Sequence, residues 1–153
     1  MLVLKRHYHF WFCMMALCKL GAVAIPATNL LTKKDFVYRF DSAKVKAIVC
    51  TADGEVAAHA QEAAAECESV KLKYIVRGDR DGWENLDKLC ESASSEFTRR
   101  TGADAPKNED PMLLYFTSGT TGNPKMVLHN FLYPLGHIIT ARHWHCVEPD
   151  GLH

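Results

Sequence analysis

Nine consecutive residues, Thr117-Ser118-Gly119-Thr120-Thr121-Gly122-Asn123-Pro124-Lys125, stand directly behind the apolar run Met112-Leu113-Leu114-Tyr115-Phe116. Their chemistry is that of an anion cradle. Gly119 and Gly122 let the backbone take φ > 0 and bring N–H groups close to a ligand, and the hydroxyls of Thr117, Ser118, Thr120 and Thr121 add short donors. Lys125 brings a full positive charge. Such a set suits a polyphosphate. A plain surface turn is also rich in Gly, Ser, Thr, Asn and Pro, but four hydroxyls closed by Pro-Lys exceed what a turn requires. The Walker phosphate loop, Gly-x-x-x-x-Gly-Lys-Ser/Thr, does not fit. Gly119 and Gly122 are too close together, Lys125 follows no glycine and precedes no hydroxyl, and Met126-Val127-Leu128 reads as a strand where that motif opens a helix.

Other candidates are weaker. His143-x-His145 could share a metal on a strand, but on a helix a two-residue spacing turns the rings to different sides, so no metal ligand is assigned. His129, close behind the loop, reads as a packed strand-end histidine, with an approach to an acyl pocket or a nucleotide as the other reading. Trp83 and Trp144 are expected in the core. Asp79-Arg80-Asp81 is expected as a solvated turn, because carboxylates paired for acid–base chemistry need apolar surroundings. Cys13, Cys18, Cys50, Cys67, Cys90 and Cys146 include no Cys-x-x-Cys pair, which points to buried reduced thiols and not to a zinc knuckle or a disulfide framework.

The elements that must carry the loop alternate between strand and helix. Strands are expected at Met1 to Leu4, Ala22 to Pro26, Ala47 to Cys50 and Leu72 to Val76. Helices are expected at Tyr8 to Leu20, with Phe10, Met14, Leu17 and Cys18 on one face and Gly21 as stop signal, and at Lys33 to Ser42, carrying Phe36, Val37 and Phe40. Asp53 is a candidate cap for an alanine-rich helix from Glu55 to Glu66, and Trp83 to Ser92 reads as a helix with Leu86 and Leu89 inward. Ser92 to Asp110 is polar and without period, a surface connection, with a domain linker as the other reading. Pro111 opens the strand Met112 to Phe116, Lys125 to His129 returns, and Phe131 to Cys146 is largely helical. Continuous apolar strands separated by helices predict an α/β fold, a mostly parallel sheet with helices on both faces, with the loop at the carboxyl end of a strand, where open α/β sheets bind ligands.

Composition narrows the partners. The 153 residues are 48% hydrophobic and 24% charged with no formal net charge, enough for a core and without a basic patch for nucleic acid. Lys5-Arg6 ahead of Phe10 to Ala24 superficially suits a signal peptide. The basic pair sits behind an apolar tetrad, however, Lys19 interrupts the run, and His9 and Trp11 are unusual there. The run also falls short of the about 20 apolar residues a membrane span needs. A cytoplasmic globular segment is expected; oligomeric state leaves no mark on the sequence.

Tyr115 to Lys125 resembles the signature loop of the AMP-forming acyl-CoA synthetases, the adenylate-forming superfamily that also contains luciferases and peptide-synthetase adenylation domains. Lys19 to Pro26 resembles the helix-to-strand turn of that family's amino-terminal part, and Phe36 to Phe40 with Ala47-Ile48-Val49 its next helix and strand. Tyr133 to Leu152, with Arg142-His143-Trp144-His145, is most similar to the acetyl- and medium-chain acyl-CoA synthetase branch. The resemblance implies a partial amino-terminal adenylating domain: an α/β unit at 1–92, a polar connection at 93–110 and a phosphate-loop unit at 111–153, without the carboxyl-terminal domain. Met1 is accordingly read as internal to a longer protein. The implied reaction joins a small-molecule carboxylate to ATP, releasing pyrophosphate, and passes the acyl group to coenzyme A; magnesium accompanies ATP. Thr117, Ser118, Thr120 and Thr121 would donate hydrogen bonds, Gly119 and Gly122 would give backbone shape, Asn123 and Pro124 would complete the loop, and Lys125 would stabilise phosphate charge. The magnesium-holding acid, the adenine and ribose contacts and the second-domain lysine would lie elsewhere. Two alternatives share the loop: a stand-alone nucleotide-binding module without turnover, and a peptide-synthetase adenylation segment.

Overall fold

A computed structural model describes residues 1–118, 122–148 and 150. Four strands, β1 (Leu2–Val3), β2 (Ala47–Thr51), β3 (Leu72–Val76) and β4 (Glu84–Asn85), form a parallel sheet in the order β1-β2-β3-β4. Successive side chains point to opposite faces of a strand, and both faces here are apolar. Val3, Ile48, Cys50 and Ile75 pack with Phe36 and Phe40 of α2 (Lys33–Ser42) and with Ala57, Ala60 and Ala63 of α3 (Val56–Glu66). On the other face Leu2, Leu4, Val49 and Val76 meet Phe10, Cys13, Met14 and Leu17 of α1 (His9–Leu20). Helices on both faces of a parallel sheet are what the continuous apolar strands predicted.

Local signals explain most boundaries. α2 opens on a capping box in which the Asp35 carboxylate accepts from the Thr32 N–H at 3.0 Å. α1 stops at Gly21, whose φ of +66° lets its N–H and that of Ala22 reach back to the Cys18 and Leu17 carbonyls at 3.2 and 2.9 Å. A Cβ there would also come within 3.0 Å of Pro106. α4 (Leu86–Ser92) is capped by Asn85, which accepts from the Lys88 N–H at 3.0 Å. His9 and Asp87 lie 2.6 Å apart and tie α1 to α4, while Asp87 also accepts from the Arg77 N–H at 2.7 Å.

Several expectations need correction. Ala22 to Pro26 is not a strand. Its alternate backbone groups turn to different sides: Leu2 N–H donates to the Ile25 carbonyl and Ala27 N–H to the Leu2 carbonyl, each at 2.9 Å, whereas Ala24 N–H donates to Met112 at 2.8 Å and Leu114 N–H to Ala24 at 2.9 Å. Gly21 and Pro26, which has no N–H, keep each contact to a single parallel bridge. The helix expected from Trp83 begins only at Leu86, because Glu84 and Asn85 join the sheet; Leu86 packs against the core but Leu89 is exposed. Trp83 is buried, whereas Trp144, just past the end of α5 (Tyr133–His143), is 82% exposed. Cys50 and Cys67 are buried and Cys13 and Cys18 partly so, but Cys90 and Cys146 are exposed; all are free thiols. Burial pushes the Cys50 thiol up to about 12. In the Asp79-Arg80-Asp81 turn, Asp79 pairs with Lys88 at 2.9 Å and Arg80 donates to Gln61 at 2.8 Å. Between Ser92 and Asp110 the backbone is irregular apart from a 3-10 turn at Gly102–Asp104. Among the described residues no helix is long and apolar enough to cross a membrane.

Asp53 does not cap α3. Glu55 occupies that position without a side-chain bond, and the Asp53 carboxylate is drawn instead to the Lys5 ammonium. That contact holds the Asp53 carboxyl at about 2, below the usual 3.8. A depressed carboxyl contributes stability that is complete above its unfolded value and is lost as pH falls through the folded one. Asp53→Asn should therefore flatten the acid limb of the stability curve between 3.8 and about 2. With an Asp53 side chain 60% exposed, the loss above that window is held to about 0.5 kcal/mol by solvent screening. Urea midpoints measured across pH check this; identical acid limbs would refute it.

Candidate functional site

The sequence-selected loop joins two antiparallel strands, β5 (Pro111–Thr117) and β6 (Lys125–Asn130). β5 buries the consecutive Met112 and Leu113, one on each face, and leaves Tyr115 and Thr117 exposed. Through the Ala24 bridge β5 runs parallel to its neighbours, so the hairpin turn emerges at the carboxyl edge of the parallel strands. Register closes the loop cleanly: Thr117 faces Lys125, Phe116 faces Met126, and the Thr117 hydroxyl reaches the Lys125 carbonyl at 3.4 Å.

Ser118, Gly122 and Asn123 are exposed, as are Thr117 and Lys125 at the two limbs, and Pro124 is half-buried. Gly122 has φ +142°, and a Cβ added there would meet nothing within 4 Å, so the requirement for glycine is conformational and not steric. Gly119, Thr120 and Thr121 lie outside the described residues. The loop contains no carboxylate. Acids on the adjoining α2–α3 wall are already engaged: Glu66 pairs with Lys33 at 2.6 Å, and Asp35 is held below the usual carboxylate range by the Thr32 hydroxyl and N–H. Asn123 faces a shallow groove of about 410 Å³ whose other walls are Lys33, Lys34, Val37, Tyr38 and Glu66. The turn's sequence thus offers hydroxyl donors and one ammonium with no carboxylate among them.

Two residues that sequence reasoning passed over touch the hairpin. The Tyr38 hydroxyl donates to the Pro124 carbonyl at 2.8 Å, and the Arg39 guanidinium lies 5.2 Å from the Phe116 ring centroid. The one available signal was that α2 turns Phe36 and Phe40 to the core, which leaves Tyr38 and Arg39 on another face.

His129 lies four residues beyond Lys125, roughly 13 Å along an extended strand. Its ring packs 4.0 Å from that of Tyr133 and 6.1 Å from that of Tyr115, in a hollow bounded by Glu109, Pro111 and Leu132. It is a strand-end histidine set apart from the loop. His143 ends α5 and His145 follows it; among the described residues no three His, Cys, Asp or Glu side chains gather as a metal site. On β6 and along α5, Leu128, Leu132, Leu135, Ile138 and Ile139 remain exposed.

Comparison with known proteins agrees with this architecture. Residues 1–150 match the AMP-binding enzyme family. The chain is 40% identical over 147 residues to the acyl-coenzyme A synthetase ACSM5, mitochondrial, of Homo sapiens, covering 94% of this chain and 24% of that protein. It is 39% identical over 145 residues to ACSM4, mitochondrial, of Rattus norvegicus, with 93% and 24% covered. Among solved structures it is similar to an anthranilate CoA ligase in complex with anthranoyl-AMP, with a TM-score of 0.82, 19% identity, and 93% of this chain and 27% of that one covered. A Brucella canis acyl-CoA synthetase gives 0.79 at 18% identity, with 99% and 26% covered. The chain thus spans about a quarter of the length of these relatives, and its fold is that of part of an adenylate-forming amino-terminal domain. By sequence and by fold, the chain belongs to the AMP-binding enzyme family.

Proposed function

We propose that this chain supplies the phosphate-gripping loop of an AMP-forming acyl-CoA synthetase. The observation that carries the reading is the register that sets Thr117 against Lys125, closing a turn of donors and one cation at the carboxyl edge of the sheet. The resemblance of Tyr115 to Lys125 to the family's signature loop and the names of the relatives support it. In the reaction a carboxylate attacks the α-phosphate of ATP, and the bond to the bridging oxygen breaks. Pyrophosphate leaves with that electron pair, and the thiol of coenzyme A then displaces AMP from the acyl group. Charge grows on the departing phosphates, so donors and a cation aimed there lower the barrier. Thr117, Ser118, Thr120 and Thr121 are assigned the hydrogen bonds, Gly119, Gly122, Asn123 and Pro124 the backbone shape, and Lys125 the charge. Magnesium neutralises phosphate charge when bound with ATP; a loop without carboxylates suits the anion and not the cation, so no magnesium ligand is assigned here.

Residues 1–92 would form the supporting α/β unit, 93–110 the connection and 111–153 the loop unit of a longer enzyme. The relatives' names carry the word mitochondrial, and we assign the protein to that compartment in place of the cytosolic one expected from composition. The protein in its full length, given Mg-ATP, labelled pyrophosphate and carboxylic acids of graded chain length, should return label to ATP only when an acid is present. Binding of ATP with no acid-dependent exchange would favour the module without turnover and overturn this reading.

A further inference from the structure

We infer that α2 is the positioning element of the phosphate loop, with Tyr38 as its decisive residue; the inference rests on the reading just given. The helix holds both limbs of the hairpin at the points where the loop leaves them. On the ingoing limb, Phe116 takes the Arg39 guanidinium 5.2 Å from its centroid and the Tyr38 ring edge-on at 6.2 Å. On the outgoing limb, the Tyr38 hydroxyl donates to the Pro124 carbonyl at 2.8 Å. Proline has no N–H, so this carbonyl is the sole backbone hydrogen-bonding group by which Pro124 is held. Arg39 is itself steered, donating to the Asp35 carbonyl at 3.1 Å one turn earlier, and Asp35 belongs to the box that starts the helix. The helix is immobilised from beneath by Phe36 and Phe40, both fully buried. A rigid helix thereby sets the height and tilt of a turn whose described residues Ser118, Gly122 and Asn123 are exposed. Charge stabilisation by prearranged donors depends on such placement, and about 1 Å of misplacement in a site costs on the order of a hundredfold.

Tyr38→Phe removes one oxygen and keeps the ring against Phe116. Losing one hydrogen bond corresponds to about a fivefold change in local opening. Hydrogen exchange of amides in 117–125 should accelerate about fivefold, with the rest of the chain and the melting temperature unchanged. In the full-length enzyme the KM for ATP should rise or pyrophosphate exchange slow by a similar factor, with the KM for the acid unmoved. Unchanged exchange in 117–125 would overturn the inference, as would a uniform acceleration with a lowered melting temperature, which marks ordinary structural support. If wild-type protein shows no acid-dependent exchange, the proposed reaction fails, while the amide measurement still decides whether Tyr38 holds the loop.

Discussion

Lys125→Ala is expected to slow adenylate formation about a hundredfold in the full-length enzyme, comparable to deleting one prearranged donor from an oxyanion site. The lysine opens β6 directly after the loop and its side chain is exposed, so its charge is available to a ligand and is not spent on the core. Removing an exposed side chain at this position should move stability by less than about 0.5 kcal/mol, which separates a chemical loss from a folding loss. The carboxylate is not the lysine's partner in the proposed site, so the acid's KM should stay near its wild-type value. Lys125→Arg should recover part of the rate, since charge is retained while the compact ammonium is replaced by a planar fork. Steady-state pyrophosphate exchange measures the two variant rates and the acid's KM, and urea unfolding measures the stability change. An unchanged rate in the alanine variant would remove Lys125 from the mechanism.

Phe40→Ala should cost about 3–5 kcal/mol of unfolding free energy. The ring is fully buried, packs 5.4 Å from that of Phe36, and fills the space between α2 and the sheet beside the alanines of α3. Small side chains on α3 bring that helix close, which leaves little freedom for the surroundings to collapse into the cavity. Against a total stability of about 5–15 kcal/mol, the loss is a large share. Urea unfolding followed by circular dichroism reads it, and a change below about 1 kcal/mol would mean the site relaxes far more than close packing allows. The variant also loosens the base of the helix that carries Tyr38 and Arg39, so the amides of 117–125 should lose protection along with the core.

Much of the scaffold was legible because its signals are short-range. α2 and β3 fall where the apolar pattern places them, and Gly21 ends α1 in the left-handed conformation that a glycine there predicts. Misreadings occurred where a distant partner outbid a local preference. Asp53 had the right chemistry for a cap, but Lys5, 48 positions away, takes its carboxylate. Glu84 and Asn85 sit in a helical pattern, yet β3 offers them a parallel ladder. Trp144, expected in the core, stands in solvent just past the end of α5. The composition of the loop suggests the chemistry proposed for it, whereas its supports carry no such mark. Tyr38 meets Pro124 across 86 positions, and an ordinary amphipathic helix carries no mark of which outward residue will bear such a contact.

The seam at 24–27 has a mechanical consequence. Each flank contributes two backbone hydrogen bonds, to Leu2 on one side and to Met112 and Leu114 on the other, where true neighbouring strands would share a continuous ladder. Partial unzipping should start along this line, since opening follows the thinnest bonding in a fold. The paired strands β5 and β6 would then swing together as a panel, while the four parallel strands behind them stay shut. Tyr38 and Arg39 reach across that gap, so α2 clasps the panel at its far end through one phenol hydrogen bond and the contacts to Phe116.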